Sequence, residues 1–380
     1  MPSTAAAAPA AAALMLALLL AAAAPRPAAG ATFRATVSSC AELQAKLQEY
    51  GDRMARATVV HRYRLRLACP ADGARYDDCA KPPQTGAAVP SLVRLQGKGR
   101  VEIKPSSSKC STGAARPRLS GNTTEAARFF FVTGAGAALT LDSLVLDGLG
   151  LRPGIFAEGA ERLALKNVDL LNFQAHICDV DNNAYKYERG CGGALATYGT
   201  RTDVAGGAME GNAASYFGFG NGFGGAVFAE VGTVAPGSPK DYSGPILTIK
   251  GTVFKGNAAT FGGAIYVRKA SPKAATVTCT GCTFEANLGN CSAIASERND
   301  YERIGGQAGA PLRLNLGSGS KASTFKGNAG PASGADAVCG SAQLNGDGAF
   351  TPSKVPDEAA GLSKAAAEGR YNDFIFTQQP

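Results

Sequence analysis

The sequence predicts an all-β protein: a right-handed parallel β-helix, a solenoid of single-stranded coils, with an N-terminal capping helix. Three observations predict it. A pattern typified by Leu-Thr-Ile-Lys-Gly-Thr-Val-Phe-Lys-Gly-Asn at 247–257 recurs at 139–149, 163–173, 202–212 and 277–287, and more loosely, with an insertion, at 313–328. A second pattern, Gly-Gly-Ala followed by an apolar residue, recurs at 192–195, 224–227 and 262–265. The composition, with 48 glycines, no tryptophan and 18% charged residues, is that of a chain with many tight turns and not of a disordered or coiled-coil protein.

Taken in chain order, residues 1–31 read as a secretory signal. The apolar run 13–24 is too short to span a bilayer, and Ala29 and Ala31 supply a small-x-small cleavage pattern. Residues 38–50 read as the capping helix: Ser39 followed by Glu42 is a capping box, and Cys40, Leu43 and Leu47 share one face. Residues 61–67 alternate strictly and predict a strand, with Arg62, Arg64 and Arg66 outward and His61, Tyr63, Leu65 and Leu67 inward. Short strands are expected at 91–95, 100–104 and 128–133. The β-helix domain is assigned to 32–340, with its clearest repeats in 139–340, and residues 341–380 to a C-terminal cap or loose tail.

Within each repeat, two apolar residues two apart, such as Leu247 and Ile249, lie on one face of a strand. A third apolar column follows: Leu146, Leu170, Met209, Phe254, Phe284 and Phe325. Successive members are 24, 39, 45, 30 and 41 residues apart, as stacked coils with inserted loops require. Asn212, Asn257, Asn287 and Asn328 recur three residues on. They predict a ladder of side-chain amides at one corner, in a backbone tolerant of left-handed geometry. The residue after the third column alternates in sign over Glu210, Lys255, Glu285 and Lys326, predicting pairing between neighbouring strands. The column Thr140, Ala164, Asp203, Thr248 and Thr278 is expected to face outward, and is too irregular for an ice-binding surface.

The F-x-x-N and G-G-A-[ILV] elements resemble the repeats of the chlamydial polymorphic outer membrane proteins. The helix followed by strands resembles the start of pectate-lyase-like proteins. Both resemblances imply a right-handed parallel β-helix. The chlamydial proteins end in an outer-membrane barrel, for which this chain has no room. Enzymes of this fold act on polysaccharides through clustered aspartates, a basic arginine or a Gly-His-Gly element. His61 and His176 lack flanking glycines, and no Arg-x-Pro-x-x-Arg pattern occurs.

The sequence therefore favours a secreted, non-catalytic protein of extracellular adhesion or of cell-wall or matrix association, with acidic polysaccharide as the ligand class. The alternative is a polysaccharide lyase or glycoside hydrolase with a diverged site. Net charge is +8, which suits anionic partners; nucleic acid is not expected, nor is a transmembrane segment in the mature chain. No cofactor is expected. The one acidic candidate for calcium or a sugar is the loop 178–191, with Asp179, Asp181 and Glu188 as oxygen ligands. Ten cysteines, an even number, fit an oxidising compartment: Cys40, Cys69, Cys79, Cys110, Cys178, Cys191, Cys279, Cys282, Cys291 and Cys339. Cys178 with Cys191 would close the acidic loop, and Cys279 and Cys282 are expected to pair with Cys291 or Cys339. Asn122 and Asn290 head N-glycosylation sequons.

Overall fold

A computed structural model describes residues 30–77, 79, 93–121, 128–150, 153–175, 190–214, 222–231, 247–269, 275–298, 312–329, 338–340 and 343–344. The chain is mostly β-strand, every strand pairing is parallel, and the described residues hold one α-helix. The longest sheet has ten strands, whose order across the sheet is their order in the chain: it runs from β1 (Thr32–Val37) through β2 (His61–Leu67) to Gln343–Leu344. A seven-stranded and an eight-stranded sheet also follow chain order. One repeat visits four sheets in turn: Arg162–Lys166 in the ten-stranded sheet, Asp169–Leu171 in the seven-stranded, Gln174–Ala175 and Gly190–Cys191 in a six-stranded, Leu195–Tyr198 in the eight-stranded, then Thr202–Ala205 back beside Arg162–Lys166.

The registers align the repeat as its residue types suggest. Leu146, Leu170, Met209, Phe254, Phe284 and Phe325 face one another along the seven-stranded sheet. The rings of Phe254, Phe284 and Phe325 stack at 4.9 and 5.0 Å, nearly parallel. Such pairs add about 0.5–1.5 kcal/mol beyond their burial. Lys255 and Glu285 lie side by side in the sign-alternating column, 3.7 Å apart.

The asparagines form the predicted ladder, fully interior. Asn212, Asn257 and Asn287 each donate their backbone N–H and their Nδ2 to the Oδ1 of the next asparagine, at 2.8–3.1 Å. The same Nδ2 groups, and that of Asn328, also donate to the carbonyls of Leu170, Met209, Phe254 and Phe284 in turn. The left-handed backbone, however, does not belong to these asparagines. It falls on the residue before each: Gly211, Gly256, Ala286 and Gly327 have φ of 54 to 64°. That residue turns the corner, which leaves the asparagine side chain free to point inward.

The glycine pairs divide their labour. The first member (Gly192, Gly224, Gly262) has φ of 55–66° and makes the turn. The second (Gly193, Gly225, Gly263) sits against backbone of the neighbouring strands, where a Cβ would overlap carbonyl oxygens. The alanine that follows points into the core and is wholly buried at 194, 226 and 264.

The helix α1 (Cys40–Arg56) is longer than the predicted 38–50, because Tyr50 and Met54 extend the stripe of Leu43 and Leu47. Its start is capped by Ser39, whose Oγ accepts from Glu42 N–H at 3.3 Å; Glu42 Oε2 reaches one residue past the reciprocal capping-box bond and accepts from Ser38 N–H at 2.7 Å. The strand β1 precedes it and was not expected from the sequence. Tyr63, Leu65 and Leu67 are buried as predicted, whereas His61 is only half-buried, edge-on to Phe33 at 5.8 Å, with Nδ1 accepting from Ala31 N–H.

Disulfides join Cys40 to Cys79 and Cys69 to Cys110. Cys279 pairs with Cys282, against the expectation of Cys291 or Cys339. Both face the main core from either side of the turn at Gly281, with Cα atoms 6.0 Å apart, whereas Cys291 belongs to a separate apolar cluster. Cys291 is itself disulfide-bonded.

Tyr76 ties this end together: its buried hydroxyl donates to the Val37 carbonyl at 2.7 Å, at the end of β1. Burial pushes its phenol up to about 12. An unfolded tyrosine ionises near pH 10. Because the folded value is the higher, the stability tied to this proton is complete below pH 10 and is lost as pH rises through about 12. Denaturant midpoints should therefore fall between pH 10 and 12, and Tyr76→Phe should shrink that fall. An identical alkaline fall in the variant would contradict the assignment.

Candidate functional site: a basic cleft at one end of the long sheet

The outer face of the ten-stranded sheet changes character along its length. At the N-terminal end, strict alternation in β1, β2 and β4 sends apolar residues inward and charged ones outward; here β3 is Val93–Gln96 and β4 is Gly99–Pro105. The parallel register sets Arg34 beside Arg64, and Thr36 beside Arg66. It then sets Arg62 beside Arg100, Arg64 beside Glu102 and Arg66 beside Lys104. Towards the other end the same face carries Thr248, Thr278 and Thr280. The outward column Thr140, Ala164, Asp203, Thr248, Thr278 is in register as the sequence implied.

Charge at the basic end is unevenly balanced. Glu102 alone serves Lys104 Nζ at 2.9 Å, Arg64 Nε at 3.3 Å and Arg66 Nη1 at 3.7 Å. Arg100 is matched by Glu161. Among the described residues no ion pair involves Arg34 or Arg62. A cleft of about 340 Å³ opens between β1 and β2, lined by Arg34, Ala35, Thr36, Arg64 and Arg66. Arg66 Nη1 is shielded from water, and the Glu102 carboxylate stands 3.7 Å from it, beyond hydrogen-bond distance. The volume lies at the lower end of the ~300–1,000 Å³ of small-molecule sites. Chemically the cleft can hold a carboxylate or sulfate by forked N–H donors. Glu102, beside Arg64 on the next strand, is shared among three cations.

Of the residues singled out by sequence, Arg62, Arg64 and Arg66 are brought to this face. Asp179, Asp181, Glu188, Cys178 and His176 lie outside the described residues, as does Asn122, and the side chains of Cys191 and Cys339 are likewise not described. Arg34, Glu102 and Lys104 were not singled out. Their signal was the alternation in Thr-Phe-Arg-Ala-Thr-Val and Arg-Val-Glu-Ile-Lys, read against that of residues 61–67.

The outer face of the eight-stranded sheet carries a row of aromatic rings. Phe131 and Phe156 stack at 5.0 Å, Phe228 and Tyr266 at 5.7 Å, all four buried, with Arg94 over Phe131 and Arg128 over Phe156. That row thus offers no open surface, while two residues further along the same strands the face turns polar at Glu158, Glu230 and Arg268.

Comparison with family models, with curated proteins and with solved structures finds no significant match for this chain. No helix among the described residues is long and apolar enough to cross a membrane.

Proposed function

We propose that this chain is a secreted, non-catalytic parallel β-helix that attaches to acidic polysaccharide of a cell wall or extracellular matrix. The observation that carries the reading is the cleft between β1 and β2, where Arg34, Arg64 and Arg66 converge. The β-helix is a right-handed coil over residues 32–340, supported by parallel sheets whose strands follow chain order and by the asparagine ladder that links successive repeats. The helix α1 caps its first coil, burying Leu43, Leu47 and Met54 beneath it. Residues 1–31 direct secretion, with which the disulfides agree, and 341–380 close or trail the far end.

A polyuronate fits better than a nucleic acid. Glu102 interrupts the cations, so there is no continuous phosphate track, and the rings nearest the cleft, Phe33 and Tyr63, are half-buried or buried and offer bases no stacking platform. The test is retention on immobilised polygalacturonate against a neutral glucan over a salt series. Wild-type protein should be held on the acidic polymer alone and released by salt. Arg34→Gln, Arg64→Gln and Arg66→Gln should each weaken binding by about tenfold, the scale of one charge-assisted hydrogen bond. Retention unchanged in the triple variant would reject this site.

A further inference from the structure

Residues 291–294, Cys-Ser-Ala-Ile, are a fourth copy of the glycine-pair corner, disguised by two substitutions. Ile294 pairs with Ile265 and Asn290 with Phe261, which sets Cys291 in the place of Gly262 and Ser292 in that of Gly263. Cys291 adopts the left-handed turn conformation of the glycine it replaces, φ 54° against 64°. It is disulfide-bonded. Ser292 is wholly buried, and its Oγ has neither water access nor a hydrogen-bond partner. The Asn290 carbonyl accepts from Gly262 N–H at 2.9 Å, while the residue itself is half-exposed.

The same three residues form the sequon Asn290-Cys291-Ser292. Glycan transfer to such a tripeptide joins the Asn Nδ2 to the anomeric carbon of an oligosaccharide. The sugar leaves its lipid pyrophosphate carrier, and Nδ2 loses a proton. Recognition requires the Ser hydroxyl as well as the Asn side chain. In the closed corner the hydroxyl is inside the protein and the middle residue is held in a tight turn.

We propose that Asn290 is a modification site open only in the unfolded chain. Once the corner has closed with Cys291 in its disulfide, the hydroxyl that glycan transfer requires is inside the protein and Asn290 can no longer be modified. Occupancy at Asn290 then measures how long the chain waits before this repeat docks on the one before it. This holds whatever the cleft binds.

The full chain, behind a heterologous secretory leader, is expressed in a glycosylating eukaryotic host. Occupancy of the Asn290 peptide is read by mass spectrometry on total and secreted protein, with Asn290→Gln fixing the assignment. Wild type is expected to be essentially unmodified at Asn290. Asn257→Ala, which weakens the neighbouring ladder and leaves the sequon intact, is expected to raise occupancy several-fold, and total-protein measurement keeps this readable if the variant folds poorly. A glycan on most secreted wild-type chains would overturn the proposal. So would an unmodified Asn290 in both wild type and Asn257→Ala, since folding would then not be what excludes it.

Discussion

Asn257→Ala is expected to lower the free energy of unfolding by about 3–5 kcal/mol, read from the denaturant midpoint by far-ultraviolet circular dichroism. The residue is the middle of the ladder and is fully buried. Its Oδ1 accepts from both the backbone N–H and the Nδ2 of Asn212, and its Nδ2 donates to Asn287 Oδ1 and to the Met209 carbonyl. Truncation leaves the Asn212 N–H without a partner in a place water does not reach, and takes the side-chain donor from the Met209 carbonyl. The orphaned donor costs about 1–3 kcal/mol, and the other lost bonds and the cavity add to it. Asn257→Asp should be worse still. It keeps the acceptor but loses the donor, and its carboxylate would face the Oδ1 of Asn287 and the carbonyl of Met209. A loss below about 1 kcal/mol for both variants would mean the ladder is not what joins neighbouring repeats.

Gly225→Ala should be severely damaging for a single methyl, at about 4 kcal/mol or more, with little folded protein recovered. A Cβ there would overlap the Gly263 carbonyl oxygen and meet the nitrogen and oxygen of Ala258 at 2.6 Å. All are backbone atoms, held in sheets by neighbouring strands, so no flexible side chain can yield. Gly251→Ala is the control. Its φ is 59°, but nothing stands within 4 Å of a new Cβ, so the cost is the conformational one alone, about 1 kcal/mol. The two glycines look alike in sequence, each followed by a strand. If Gly251→Ala proved the costlier, the close approach of backbones at the glycine pair would not be the reason for the pair.

The repeat was legible because one residue type recurs in one structural slot. Phenylalanine at 254, 284 and 325 and asparagine at 257, 287 and 328 fixed the register even across the insertion in 313–328. The turn geometry was less so. Asparagine tolerates left-handed backbone, which drew the turn onto Asn257, yet its glycine neighbour makes the turn more cheaply and leaves the amide to the ladder. Cys291 and Ser292 hid a corner, because the slot asks for left-handed backbone and a small residue rather than for glycine itself. Pairing of Cys279 with Cys282 was missed because spacing alone does not say that both side chains face one core across a turn. The cleft was half legible. Arg62, Arg64 and Arg66 stood out in a strictly alternating strand, whereas Arg34 came from a strand whose partner is known only once the sheet is assembled. Residues 178–189 of the acidic loop lie outside the described residues, and they include Asp179, Asp181 and Glu188, which the sequence offered as ligands for calcium or a sugar.

The decisive measurement is therefore a chain-end assay on polygalacturonate at protein concentrations that bind it, with and without calcium, following reducing ends and unsaturated uronate over time. A non-catalytic attachment protein predicts bound polymer with no new chain ends in either condition, and release of that polymer by salt or by the Arg34, Arg64 and Arg66 substitutions. Sustained turnover abolished by Asp179→Ala with Asp181→Ala would contradict the account and place an enzyme site in the loop.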